Sequence, residues 1–204
     1  SSAYAAENQA ALRQDWPRVP LPADPGTLAA SAALGRRVAA LLDPEAEVPG
    51  VTTGAVRPDL REIAVLRHVA GEAAPLDPSA GHLAVTAGWG YLIRNGTVTM
   101  PGQGTLEARE DGGYDVYLNE VACWRNVPEP VWAYTLGGYP VLKKWLSYRE
   151  RDVLGRDLTP AEARTFTAVA RRIAAILGLA ADLDANYRRA RGAAYDWGPS
   201  KRIG

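Results

Sequence analysis

Cysteine, histidine, methionine and phenylalanine are all scarce in this chain of 204 residues: one Cys, two His, one Met and one Phe. A lone Cys123 closes no internal disulfide, and with two histidines it cannot assemble a Cys/His zinc cluster. No apolar run approaches the roughly 20 residues that cross a bilayer. No signal-peptide pattern opens the sequence, so a reducing cytoplasm is the expected setting. Met100 is the single Met, and the abrupt start at Ser1 suggests a piece of something longer. Net charge is missing as well, because 23 Lys plus Arg balance 23 Asp plus Glu. That balance excludes a histone-like basic arm and a disordered acidic tail. What is present is ordinary: 47% hydrophobic and 23% charged residues, enough chain to bury a sizeable core.

Local patterns divide the chain into three stretches. Tyr4 to Arg13 is Ala-rich and predicts a short helix. Trp16-Pro17-Arg18-Val19-Pro20-Leu21-Pro22 must be extended, because its prolines forbid helix. Asp24-Pro25 reads as an N-cap and first helical residue, followed by a helix with Leu28, Leu34, Val38, Leu41 and Leu42 on one face, ending near Asp43-Pro44. Residues 44 to 60 read as loop. From 61 to 127 the pattern becomes β-rich. Asn95-Gly96 between Tyr91-Leu92-Ile93 and Thr97-Val98-Thr99 is a two-residue hairpin signal. Asp111-Gly112-Gly113 marks a second hairpin between Thr105–Arg109 and Tyr114–Leu118. An antiparallel sheet of four or five strands follows from these pieces. Beyond it, Tyr139 to Arg149 predicts a short helix behind Gly137-Gly138. Thr159-Pro160-Ala161-Glu162 is a capping box. Phe166, Val169, Ala170, Ile173, Leu177, Ala180, Leu183 and Tyr187 then stripe one helix of seven to eight turns. The expected class is α+β, a central antiparallel sheet flanked by an N-terminal helical segment and a long C-terminal helix.

Catalytic chemistry is not indicated. The sequence holds no phosphate-binding Gly-x-x-x-x-Gly-Lys loop and no Gly-x-Ser-x-Gly elbow. Gly88-Trp89-Gly90 is too short for a nucleotide-binding turn and reads as close packing. His68 and His82 lack an oriented partner for general-base work, and Cys123 beside Trp124 reads as a small buried hydrophobe.

Charge distribution carries more than the total. Between 143 and 172, Lys143, Lys144, Arg149, Arg151, Arg156, Arg164, Arg171 and Arg172 outnumber Glu150, Asp152, Asp157 and Glu162. From 186 onward, Arg188, Arg189, Arg191, Lys201 and Arg202 face Asp196 alone. A neutral chain therefore has a basic C-terminal third, suited either to a solvated helix face or to phosphate contact. Candidate phosphate ligands are Lys143, Lys144, Arg149, Arg151 and Arg156. Trp124, Trp132, Tyr134, Tyr139, Trp145 and Tyr148 cluster nearby. Core packing is the ordinary role for such rings, and one exposed beside these cations could meet DNA. Arg94, Asn95 and Gln103 supply, in a loop setting, the side-chain types that read guanine and adenine.

The stretch from Tyr117-Leu118-Asn119 through Val127-Pro128, Val131-Trp132, Gly137-Gly138-Tyr139, Lys144-Trp145-Leu146 and Arg149 resembles the C-terminal specificity region of type ISP restriction–modification enzymes and related adenine-specific DNA methyltransferases. Asp15–Pro22 with Leu34-Gly35, Leu154–Thr159, Ala170–Ile176 and Leu183–Tyr187 extend the likeness over most of the chain. The resemblance implies a single target recognition domain over 1–204, with a helical segment and Pro-rich linker at 1–60, a β-rich part at 61–127 and a helical part at 128–204. It implies double-stranded DNA as partner and an upstream methyltransferase domain of the same chain, which uses S-adenosylmethionine. That family's Asn/Asp-Pro-Pro-Tyr/Phe catalytic loop is not in this sequence, so no cofactor is expected within it. The implied role is to read a short duplex sequence and present an adenine for flipping and N6 methylation. The other role open to such a module is structural: docking on the methyltransferase domain with little DNA contact. Within the hallmark, Trp132, Tyr139, Trp145 and Leu146 read as scaffold packing, and Gly137-Gly138 as a tight turn feeding a helix.

Overall fold

Proline and capping residues set most boundaries. The computed structural model describes residues 1–14, 16–71, 73–95 and 97–196. In order, the elements are α1 (Ser2–Glu7), α2 (Gln9–Gln14), α3 (Pro25–Leu42), α4 (Pro58–Arg61), β1 (Val65–His68), β2 (Leu92–Arg94), β3 (Thr97–Thr99), β4 (Leu106–Ala108), β5 (Gly113–Tyr117) and β6 (Ala122–Pro128). Next come α5 (Glu129–Trp132), β7 (Thr135–Leu136), β8 (Tyr139–Pro140), α6 (Val141–Ser147), α7 (Arg151–Leu154), α8 (Pro160–Gly178) and α9 (Ala180–Gly192). The class is α+β, as expected. The chain forms two compact units, residues 47–177 and the two chain ends, 1–46 with 178–204.

In the unit built from the ends, the Asp24 carboxylate accepts the Thr27 N–H at 2.7 Å and starts α3. Leu41 is buried, but Leu28 and Leu42 are exposed. Leu28 and Leu34 are six residues apart, about 240° around a helix, so they never shared a face. The single helix expected over Tyr4–Arg13 is split at Asn8, the C-cap of α1, whose backbone N–H and side-chain amide both donate to the Tyr4 carbonyl, at 3.0 and 2.9 Å. Asp184 of α9 accepts from Ser1 Oγ, Ser2 Oγ and the Ala3 N–H. These bonds, the Ser1 hydroxyl first, hold its carboxyl well below the usual carboxylate range. Tyr187 donates to Glu7 at 2.7 Å and meets Tyr4 edge-on. Ala23 N–H to Ala193 O and Tyr195 N–H to Leu21 O close the same unit, each spanning most of the sequence.

In the unit over 47–177, four strands form an antiparallel sheet in the order β1-β6-β5-β4. The β2–β3 hairpin stands as a separate two-stranded piece. Both hairpins expected from the turn signals form, with Leu92 opposite Thr99 and Leu106 opposite Val116. A register shift between Tyr114 and Val116 places Asp115 in a bulge. Its buried carboxylate accepts the Asn126 N–H at 2.9 Å and pairs with Arg109 at 3.2 Å, so the desolvated charge is satisfied. Between β5 and β6, Asn119 uses its whole amide: it donates to the His82 and Ala84 carbonyls and accepts from the Val121 and Ala122 N–H groups.

The core lies between this sheet and α6 and α8. Trp124 of β6 stacks on Phe166 of α8 with centroids 4.0 Å apart, and Trp145 of α6 meets Phe166 edge-on at 5.5 Å. Leu142, Leu146, Ala163, Ala170 and Ile173 are buried with them. Cys123 is buried too, and burial pushes its thiol up. The expected unbroken C-terminal helix is two helices, because the chain turns at Leu179 directly after Gly178, a poor helix former.

Candidate nucleic-acid interface

The β2–β3 hairpin is rooted by a glycine clasp around one indole. Trp89 is fully buried, its ring edge-on to Trp132 at 5.4 Å, and its Nε1–H donates to the Tyr117 carbonyl at 2.7 Å. Gly102 N–H donates to Trp89 O at 2.8 Å and Gly104 N–H to Gly88 O at 2.9 Å, closing the clasp. Gly104 has φ +67°, and a Cβ there would sit 2.1 Å from the Trp89 ring. Only glycine fits. The Glu150 carboxylate accepts the Gly88 and Trp89 N–H groups at 3.1 and 2.9 Å. The hairpin root is thereby tied to the junction of α6 and α7. Gly88-Trp89-Gly90 is close packing, as the sequence indicated.

Of the expected base readers, Asn95 sits exposed at the hairpin turn with φ +50°. Gln103 is exposed on the clasp, between Gly102 and Gly104. Arg94 is the last residue of β2, and its side chain lies outside the described residues.

α6 presents the second group. Leu142, Leu146 and Ser147 face inward. The Lys144 ammonium lies 5.7 Å from the Tyr139 ring centroid and 4.8 Å from that of Tyr148. Both rings are open to solvent, Tyr139 by 63% and Tyr148 by 51%. Lys143 makes no ion pair among the described residues. Arg149 behaves differently. Its guanidinium stacks on Trp145 at 3.9 Å and donates to the Trp145 carbonyl, and burial pulls its pKa down. Its Nε is buried with no hydrogen-bond partner among the described residues.

Arg151 and Arg156 are engaged at the corner between α7 and α8. Arg151 pairs with Asp157, its Nε at 2.6 Å. Arg156 grips Glu162 with both terminal nitrogens, at 2.8 and 2.9 Å. Glu162 also accepts the Thr159 N–H at 2.8 Å and returns its own N–H to Thr159 Oγ1, the capping box read in the sequence. The Arg156 guanidinium and then the Thr159 amide pull its carboxyl down to about 2. Deeper in the same unit, Arg171 donates to the Arg61 carbonyl, and Arg172 is buried. The basic stretch is thus a mixture: arginines paired with carboxylates or buried, and two half-buried lysines with no ion pair among the described residues.

Two readings of the hallmark change. Tyr139 is exposed, so it is not scaffold packing, whereas Leu146 is buried and Trp132 and Trp145 are partly so. Gly137-Gly138 is the two-residue turn of the β7–β8 hairpin, both residues at positive φ, rather than a turn entering a helix. Leu136, exposed across that turn from Tyr139, carried no signal of its own. His68 and His82 are structural: their rings meet edge-on at 5.7 Å, and each Nδ1 accepts a backbone N–H, from Ala70 and Asp77. Among the described residues no cluster of three His, Cys, Asp or Glu could hold a metal, and no helix is long and apolar enough to cross a membrane.

The hallmark stretch thus contains a packed frame and a cation–aromatic cluster whose tyrosine rings are exposed. The model of the type ISP C-terminal specificity domain matches residues 1–175, and the chain belongs to that family. Its role is target recognition in type ISP restriction–modification. No curated protein and no solved structure matches the chain.

Proposed function

We propose that the chain reads a short sequence in double-stranded DNA and positions it for N6-adenine methylation by a methyltransferase domain upstream in the same polypeptide. The observation that carries this reading is the cation–aromatic cluster on α6, where the half-buried Lys144 places its ammonium over the exposed Tyr139 and Tyr148 rings and Lys143 is its neighbour in sequence. Lysines so placed can neutralise phosphates and fix register. The β2–β3 hairpin and its clasp, rooted on the α6–α7 junction, carry Asn95 and Gln103 exposed and Arg94 at the end of β2, residue types that read base edges. Arg149, Arg151 and Arg156 serve this arrangement indirectly by holding the frame. S-adenosylmethionine belongs to the upstream domain. The Gly88 and Trp89 amides, which could otherwise receive that cofactor's carboxylate, are spent on Glu150, so these residues do not fit it. The action takes place in the cytoplasm.

The internal commitment of the arginines favours a second reading, a module that docks on the methyltransferase domain with little DNA contact. Titrating a randomised duplex at several salt concentrations separates the two. DNA contact gives affinity that falls steeply with salt, and Lys143→Ala/Lys144→Ala flattens that slope. Salt-independent or absent binding by the wild type supports docking instead.

A further inference from the structure

The β7–β8 hairpin leaves two large side chains mostly exposed, Leu136 and Tyr139. Leu136 and Tyr139 are directly paired across the turn and therefore project from the same face. They are 57% and 63% exposed. At the turn between them, a Cβ on Gly137 or Gly138 would meet nothing within 4 Å, so the tip is thin and unobstructed. Its base is held firmly. Val141 N–H donates to Tyr134 O, and the helices on either side are anchored through buried Val131 and Leu142. A two-stranded hairpin of this length does not persist without such support. Lys144 stands over the Tyr139 ring and Lys143 adjoins it in sequence, so the apolar tip is backed by positive charge. A rigid, narrow apolar tip backed by cations matches a stacked, polyanionic duplex, in which apolar side chains can part neighbouring base pairs while lysines hold the phosphates.

We propose that this hairpin is a wedge: Leu136 and Tyr139 enter the duplex at one base step and unstack it, next to the site read by the β2–β3 hairpin. The inference rests on the DNA-reading function and adds a deformation to it. Opening one step lowers the cost of extruding an adjacent adenine.

The test uses the full chain and a duplex that it selects from a randomised pool. 2-Aminopurine replaces each adenine in turn and pyrrolocytosine each cytosine, so every base pair is probed. With wild type, fluorescence should rise several-fold at one step. Leu136→Ser/Tyr139→Ser should abolish that rise while keeping the salt slope of binding, and Tyr139→Phe should retain it. Bound wild type with no rise at any position overturns the wedge and leaves the DNA-reading function standing. So does a rise unchanged in the double variant. A double variant with normal DNA fluorescence but lost affinity for the methyltransferase domain makes the tip a protein-docking surface and also overturns the wedge. If wild type selects no duplex and binds none in a salt-dependent way, the DNA-reading function itself fails, and the wedge with it.

Discussion

Lys143 and Lys144 on α6, and Arg151 and Arg156 at the α7–α8 corner, carry the same charge close together in sequence and meet opposite fates. The arginines find Asp157 and Glu162, with Arg156 in a two-pronged grip on a carboxylate that also caps α8. The lysines find no acid among the described residues, and Lys144 rests between two exposed tyrosine rings. Guanidinium forks suit fixed carboxylates, whereas a flexible ammonium remains free to move to a phosphate. Sequence charge alone would have weighted all four equally; geometry pairs two of them with carboxylates and leaves the other two without an acid among the described residues.

The sharpest way to break this contrast is the double variant Lys143→Ala/Lys144→Ala. Removing two phosphate contacts should lower the salt slope of DNA binding by about 2 and weaken binding to all sequences alike. Melting temperature should stay unchanged, and equilibrium titration with parallel thermal melts checks both. Next in size, Asn95→Ala or Gln103→Ala should relax preference at one base position by about 1–3 kcal/mol while leaving nonspecific affinity intact. Selection from a randomised duplex pool reads that outcome.

On the structural side, Glu162→Ala removes the acidic half of the capping box and should cost about 1 kcal/mol of stability by denaturant unfolding, with DNA affinity retained. The same carboxyl gives a pH signature. Its pKa falls from an ordinary 4.5 to about 2 in the folded protein, so its contribution is complete above pH 4.5 and is lost as pH drops toward 2. Acid unfolding of Glu162→Gln should therefore be less steep than wild type across that window. Smallest of all, Arg151→Gln breaks a half-exposed ion pair and should cost less than about 1 kcal/mol. DNA binding should not change. A large loss of DNA affinity in Arg151→Gln, with the fold intact, would return that arginine to the phosphate face.

Features set by neighbours in sequence were readable in advance. The Asp24 and Thr159 caps, both β-hairpins, the helix-free proline run and the buried Cys123 all depend on local turn chemistry, propensity or hydrophobicity. Where expectation and structure parted, distance along the chain or direction of a side chain was at issue. Tyr139 and Trp145 belong to the same motif, yet one ring is exposed and the other packs against Phe166. The break at Leu179 interrupts an apolar period that runs straight through it.

By itself, the sequence determined the α+β class, the family, the hairpin that offers Asn95, and the general location of the basic residues. These follow from short-range periodicity, caps and a long motif. Tertiary structure alone decided that β1 pairs with β6, that the chain ends form one unit, and that Glu150 pins the Trp89 clasp. It also decided which cations pair with carboxylates, as Arg151 and Arg156 do. Those outcomes depend on contacts between residues far apart in the chain, where the partner of a charge is fixed by packing geometry rather than by its neighbours in sequence.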